Sequence, residues 1–153
     1  MATYNIVKKE DPILRKKAKE VLEVTPKITK LIQNMTSTMY KEKGIGLAAP
    51  QVGFSKRVIV VDIGDEHGLY ALVNPVIVEK KGAENGAEGC LSCPEEYGEV
   101  IRAKQIVVEG LNEKGESVRI QAEGLLARAF QHEIDHLDGI LFIDKATNLR
   151  RGE

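Results

Sequence analysis

Apolar residues recur along the chain with two periods, one typical of helices and one typical of strands. In the segment TPKITKLIQNMTSTMYKEKG (25–44), apolar residues are three or four positions apart, which places them on one helical face. They are Ile28, Leu31, Ile32, Met35 and Met39. Thr25 and Pro26 are typical of a helix start, and Gly44 of a helix end. We therefore predict an N-terminal helix whose apolar face belongs to the core.

Four later segments have the composition of β-strands. The segments RVIVVD (57–62) and LYALVNPVIVEK (69–80) are separated by GDEHG, which is typical of a turn. The segments QIVVEGLN (105–112) and ESVRIQAEG (116–124) flank NEKG and predict a hairpin. The segment GIGLAAPQVG (44–53) contains three glycines and a proline, so we predict a loop or a distorted edge there.

A second helix is predicted near the end of the chain, from about Gly124 to Asp138, with Gly139 ending it. Strands between two unlike helices, without alternation of strand and helix, favour an α+β fold. We predict mainly antiparallel sheets packed around this C-terminal helix, together with the N-terminal helix. The length of 153 residues, without a repeat or a linker, predicts a single domain over residues 1–153.

The composition argues against several classes of protein. Charged residues are 29% and hydrophobic residues 42%, and the net charge of −1 gives no basic field for nucleic acid. The N-terminus lacks a signal-like apolar core and no apolar run reaches membrane-spanning length, so we expect neither secretion nor membrane insertion. A disulfide between Cys90 and Cys93 would close a very tight loop. Reduced thiols in a cytoplasmic protein are therefore expected.

The segment QHEIDH (131–136) carries two histidines four positions apart. On a helix, His132 and His136 lie on the same face and can hold one divalent metal. Glu133 can reach a water on that metal without being a ligand itself. The motif is short enough to occur by chance, and a helix with hydrogen-bonded or solvent-facing histidines is the alternative.

A catalytic metal site needs a third protein ligand and one open position. After His136 the sequence has no further histidine and no close glutamate, and Asp138 faces elsewhere on the helix. The third ligand must therefore come from a distant part of the sequence. His67 lies in a polar turn, where a solvated role is expected. Cys90 is the stronger candidate, because a thiolate and two imidazoles leave a divalent metal one position for water.

Cys93 raises a competing hypothesis, in which both cysteines and both histidines form a closed structural zinc site. Against it, Pro94 follows directly, Glu133 would have no purpose, and Cys90 and Cys93 point to opposite faces of an extended strand. We favour Cys93 as a small buried apolar residue. A zinc-stabilised domain without catalysis and a general peptidase with the HExxH motif remain the alternatives.

Three separate motifs, GIGLAAPQ (44–51), EGCLS (88–92) and QHEIDHLDG (131–139), resemble in the same order the signature motifs of the peptide deformylase family. The resemblance extends over nearly the whole chain, including DPILRKKA (11–18) and the NP dipeptide (74–75). It implies a cytoplasmic hydrolase that removes formate from the N-formylmethionine of nascent peptides. Such an enzyme acts close to the ribosome and requires neither nucleic acid nor a membrane.

The resemblance also implies the roles of the residues that carry the chemistry. Cys90, His132 and His136 would be the metal ligands, with water in the fourth position. Glu133 would be the general acid and base. The family favours Fe²⁺ in the cell, and the same ligands also suit Zn²⁺, Ni²⁺ or Co²⁺.

Further roles follow from the same resemblance. Gln51 and the backbone N–H of Leu91 would donate hydrogen bonds to the oxyanion, and Gly46 would let the substrate backbone approach closely. The substrate-binding residues would be Gly44, Ile45 and Gly46. Glu88 would pair with Arg102 and brace the motif around Cys90.

The sequence departs from the family pattern at two places. Tyr97 stands where some members have an arginine that contacts the peptide. The sequence ends at NLRRGE, whereas some members continue into a long basic helix. We therefore expect no ribosome docking by that route.

Overall fold

The computed structural model describes residues 2–152, which form two α-helices and eight β-strands. The helices are α1 (Pro26–Lys41) and α2 (Gly124–Leu137). The strands are β1 (Gly46–Ala48), β2 (Val58–Val61), β3 (Tyr70–Lys81), β4 (Glu84–Cys90), β5 (Cys93–Arg102), β6 (Gln105–Leu111), β7 (Ser117–Glu123) and β8 (Thr147–Arg151). Short 3₁₀ turns span Pro12–Arg15, Ala49–Val52 and Phe142–Asp144.

The strands form two sheets in which every described pair is antiparallel. The larger sheet has the order β1-β2-β3-β6-β7, and the smaller sheet has the order β4-β5-β8. The predicted α+β class with mainly antiparallel sheets is therefore confirmed. The predicted hairpin is also confirmed, since β6 and β7 pair along their whole length.

Strand β2 lies between the two helices and is buried on both faces. Its side chains alternate, as those of any strand do. Ile59 and Val61 pack in a cluster with Phe130 of α2, and Val58 and Val60 pack in a second cluster with the apolar face of α1. The apolar face predicted for the N-terminal helix is thus part of the core, and α2 packs against the larger sheet.

The structure corrects several local predictions. Helix α1 ends at Lys41, and the left-handed residue after it is Lys43, with φ of 59°, rather than Gly44. GIGLAAPQVG forms the short edge strand β1 followed by a 3₁₀ turn, which agrees with the distorted edge predicted there. The prediction that Cys90 and Cys93 lie on opposite faces of one strand is wrong. Cys90 ends β4 and Cys93 begins β5, so a hairpin turn sets the two cysteines opposite each other.

Within residues 2–152, neither helix is long and apolar enough to cross a membrane.

Candidate metal centre

Three side chains from two distant parts of the sequence meet at one point. Cys90 stands at the end of β4, and His132 and His136 stand one helical turn apart on α2. One ligand atom from each residue lies within 4.8 Å of the other two, and Cys90 Sγ is 3.3 Å from His136 Nε2. Within residues 2–152 this group is the one able to hold a metal ion, and Cys93 is not part of it.

The donor atoms of this cluster fit a divalent transition metal. A thiol and two imidazoles are a donor set that such ions accept, and three protein ligands leave a position open. His136 is fully buried, and burial lowers its pKa well below the ordinary value, which keeps the imidazole neutral as a ligand must be. Several effects raise the pKa of the Cys90 thiol. The largest is its hydrogen bond with Cys93, and the next largest is its burial.

Glu133 lies beside the cluster and is almost completely buried, with 4% of its surface exposed. Its Oε2 is 4.0 Å from His132 Nε2, and its buried Oε1 has no hydrogen-bond partner among residues 2–152. Burial raises the pKa of this carboxyl group to about 7. A carboxyl group with such a pKa can hold or release a proton near neutral pH.

Gly46 gives Glu133 the space that it occupies. A Cβ atom at position 46 would lie 2.6 Å from Glu133 Oε2 and 2.9 Å from its Cγ, closer than atoms can pack. The family resemblance implied only that Gly46 lets the substrate backbone approach closely. In the structure, the side chain of Glu133 already requires glycine at position 46.

Gln51 points its amide group toward the cysteine of the cluster. Its Oε1 accepts a hydrogen bond of 3.0 Å from the backbone N–H of Ala48, which fixes the orientation of the amide. Its Nε2 then lies 3.5 Å from Cys90 Sγ and 3.2 Å from Ser92 Oγ. Leu91 occupies the turn between β4 and β5, directly after Cys90. Both predicted oxyanion donors therefore border the cluster.

Glu88 orients His132 from behind. Its Oε1 is 2.9 Å from His132 Nδ1, so a proton on Nδ1 is shared with the carboxylate and Nε2 is left free for the cluster. Arg102 binds the same carboxylate at 2.8 Å and 2.9 Å, which confirms the pairing of Glu88 with Arg102. Burial alone would raise the pKa of Glu88, but the hydrogen bonds from Arg102 and His132 hold it well below the usual range.

A cleft of about 550 Å³ opens over the cluster. Gly44, Ile45 and Gly46 form one wall, and the apolar side chains of Ile45 and Leu125 are partly exposed to it. Tyr97 also lines the cleft and is about half exposed. Such a site can accept an extended ligand with an apolar side chain.

Cys93 borders the cleft, but it packs in a small apolar cluster with Leu14, Val100 and Phe142, and only 1% of its surface is exposed. Replacing Cys93 by Ala should therefore leave the metal content and the activity nearly intact, at a cost of about 1 kcal/mol in stability. Metal analysis of the purified variant and its thermal unfolding measure the two effects. Release of the metal from Cys93→Ala would instead support the closed structural zinc site.

Two residues near the cluster were missed by sequence reasoning. Arg128 donates a hydrogen bond of 2.6 Å to Glu88, and Ser92 lies beside the Gln51 amide. The position of Arg128 four residues before His132 was a usable signal, since it puts both side chains on one helical face. No comparable signal marked Ser92.

A partly buried thiol and two imidazoles with an adjacent buried carboxyl group, opening into a cleft of an α+β fold, define a metal-dependent hydrolase. Comparison with known proteins narrows this class. The pattern of the polypeptide deformylase family matches residues 3–152. The peptide deformylase of Carboxydothermus hydrogenoformans is 59% identical over 151 residues, covering 99% of this chain and 98% of that protein. That of Halothermothrix orenii is 58% identical over 149 residues, covering 97% of each.

A solved structure agrees in fold as well as in sequence. The crystal structure of peptide deformylase from Thermotoga maritima superposes with a TM-score of 0.92 at 46% identity, covering 96% of this chain and 99% of the other. The chain belongs to the polypeptide deformylase family. It is a metal-dependent enzyme that removes the N-formyl group from the N-terminal formylmethionine of new polypeptides.

Proposed function

We propose that Cys90, His132 and His136 hold the catalytic metal of this deformylase. The observation that carries the proposal is the meeting of these three ligand atoms within 4.8 Å, beside the buried carboxyl group of Glu133. When bound, a divalent cation lowers the pKa of water and polarises the formyl oxygen. The remaining chemistry is carried out by side chains of the chain itself.

Glu133 moves the protons of the reaction. Its carboxylate accepts a proton from the attacking water, and its carboxylic acid then delivers that proton to the leaving amine. Burial supports both steps, because the raised pKa of about 7 makes the acid and the carboxylate comparably accessible near neutral pH. Gly46 supports them too, since it leaves the carboxyl group room beside the reacting bond.

Gln51 and the backbone N–H of Leu91 stabilise the negative charge that develops on the formyl oxygen. The bond from Ala48 to Gln51 Oε1 holds the amide in place before substrate arrives. Pre-oriented donors of this kind cost no reorganisation during the reaction, which is the source of their catalytic effect.

Replacing Gln51 by Ala should lower kcat by roughly 10²-fold, because one pre-oriented donor to the oxyanion is lost. Formate release under saturating substrate measures kcat, and metal content and thermal unfolding are recorded for the same sample. A variant that keeps its fold, its metal and its full kcat would remove Gln51 from the mechanism.

The substrate contacts are assigned to Gly44, Ile45 and Gly46, on the wall of the cleft next to Glu133. An extended formylmethionyl peptide along this wall brings its formyl group to the cluster and its methionine side chain to the apolar surface that includes Leu125. Formyl is the smallest acyl group, so a narrow site can admit it and reject acetyl on steric grounds. The enzyme then acts on nascent peptides near the ribosome in the cytoplasm, without nucleic acid or a membrane.

The cellular metal is proposed to be Fe²⁺, with Zn²⁺, Ni²⁺ and Co²⁺ able to occupy the same ligands. An iron site with a thiolate ligand is sensitive to oxidation, which the exposed side of Cys90 favours. Anaerobic purification with metal analysis, followed by formate release from formyl-Met-Ala-Ser, tests the whole proposal. One iron per chain and rapid release are expected. A protein that is inactive with all four metals would contradict the assignment.

A further inference from the structure

Arg128 is a buried charged residue for which the mechanism above gives no role. It lies on α2 one helical turn before His132, borders the cleft, and has 8% of its surface exposed. A guanidinium group loses much of its hydration on such burial, so its charge and its donors must be matched by partners. The identity of those partners indicates what Arg128 does.

The guanidinium of Arg128 binds a carboxylate and two backbone carbonyls. Its Nη1 donates to Glu88 Oε2 at 2.6 Å and to the carbonyl of Val100 at 2.8 Å. Its Nη2 donates to the carbonyl of Glu84 at 2.8 Å. Arg128 therefore ties Glu88 to strands β4 and β5 and to the helix that carries His132.

Arg102 does not use all of its hydrogen-bond donors on Glu88. Arg102 also binds Asp135, with its Nη1 2.5 Å from Asp135 Oδ2, so its donors are divided between two carboxylates. Oε1 of Glu88 accepts from Arg102 and meets His132, whereas Oε2 accepts from Arg102 and from Arg128. Arg128 is thus the second anchor of the carboxylate that orients His132.

Gly86 provides the space in which this anchor sits. A Cβ atom at position 86 would lie 2.9 Å from Cζ and Nη2 of Arg128 and 3.0 Å from its Nε. Gly86 precedes Glu88 by two residues on β4, so both face the same side of the strand. Any side chain at position 86 would push the guanidinium away from its three hydrogen bonds. Gly86 and Arg128 therefore act as one unit.

We infer that Arg128, seated against Gly86, is a positioning residue that locks Glu88 and through it presents His132 to the metal. The inference rests on the proposed assignment of His132 as a ligand. Groups that orient a ligand in this way typically change metal affinity by 10-fold to 100-fold when they are removed. Arg102 still holds Glu88 in the absence of Arg128, so the effect belongs at the lower end of that range.

The test compares Co²⁺ affinity among variants of the full chain. Co²⁺ is titrated anaerobically against an indicator chelator, and the thiolate-to-cobalt absorption reports whether Cys90 still coordinates. Arg128→Ala should weaken Co²⁺ binding by about 10-fold while that absorption band persists. Arg128→Lys, which keeps the charge but not the planar fork, should recover only part of the loss. Thermal unfolding of each metal-free variant records any separate effect on stability.

The double variant separates positioning from a merely structural role. Gly86→Ala should itself weaken Co²⁺ binding by several-fold, because its Cβ displaces the guanidinium. In the double variant, which carries both Gly86→Ala and Arg128→Ala, the new Cβ meets no guanidinium. The Co²⁺ affinity of the double variant should therefore match that of Arg128→Ala alone. The inference would be overturned if the losses of Co²⁺ affinity in the two single variants multiplied in the double variant, or if Gly86→Ala alone left the affinity unchanged. If Arg128→Ala does not fold, the affinity of Gly86→Ala decides the question.

Arg119→Ala serves as the matched control. Arg119 also pairs with two carboxylates, those of Glu79 and Glu109, but on the exposed surface of the larger sheet. Its removal should leave the Co²⁺ affinity unchanged. A wild-type protein that binds no Co²⁺ would count against the proposed metal site itself. Normal wild-type binding together with normal binding by Arg128→Ala would overturn only the role of Arg128.

Discussion

Replacing Glu133 by Gln should reduce turnover by about 10³-fold or more while the metal stays bound. The amide has the size of the carboxyl group but cannot accept a proton from water, so the proton transfers that are worth 10²-fold to 10⁴-fold are lost. The substitution adds no bulk against Gly46, where the space is tight. Formate release from formyl-Met-Ala-Ser measures the turnover, and elemental analysis of the same sample measures the metal.

A matched control exists at the end of the same helix. Asp138 is an exposed carboxylate that pairs with Arg57 at 3.0 Å, away from the cleft. Asp138→Asn should keep full activity and full metal content, with a stability change within about 1 kcal/mol. Substantial deformylation by Glu133→Gln would show that another group moves the protons.

Replacing Cys90 by Ala should remove both the metal and the activity. With only two imidazoles left, the site no longer has the three protein ligands that catalytic metal sites of this kind use. The bound metal supplies several kcal/mol of transition-state stabilisation, so the rate should fall by on the order of 10³-fold or more. Metal content after dialysis and formate release are the two measurements.

The neighbouring cysteine is the control for this second experiment. Cys90 and Cys93 are paired across the same hairpin, yet only Cys90 belongs to the ligand cluster. Cys93→Ala in parallel therefore reports the effect of losing a thiol from the hairpin without losing a ligand. If Cys90→Ala retained one metal per chain at unchanged affinity, the assignment of Cys90 as the third ligand would be refuted.

The larger sheet and both helices were predictable because their residues are buried on regular faces. The apolar spacing in α1 and α2, and the apolar runs in β2 and β6, report directly which side of each element meets the core. The ends of the elements were less predictable. Lys43 rather than Gly44 adopts the left-handed conformation after α1, since the position of the turn is decided by packing as well as by local preference.

The smaller sheet was not predictable from the same signals. Strand β4 is rich in glycine and polar residues, and all five residues of β8 are exposed. Neither segment carries the alternation that identifies a strand, because their pairing depends on partners distant in sequence.

The candidate site likewise contains residues that the sequence could predict and a contact that it could not. The two histidines and Glu133 follow from helical spacing, and the search for a third ligand led to Cys90. The contact between the Arg128 guanidinium and Gly86 could not be inferred from the sequence, because a glycine in a strand ordinarily indicates only a weak or irregular position. Its reason is a contact between residues 42 positions apart, which exists only in the folded chain.

The position of β2 between the helices has a consequence for how the molecule fluctuates. Its four residues are buried on both faces and pair with β3 on one side, and Ile59, Val60 and Val61 also pair with β1 on the other. Their amide protons should exchange with deuterium only through global unfolding, whereas those of the exposed edge strand β8 should exchange through local opening. The helix that carries two of the three proposed ligands is therefore anchored to the part of the chain that we expect to exchange most slowly, and local opening at β8 leaves that anchor intact.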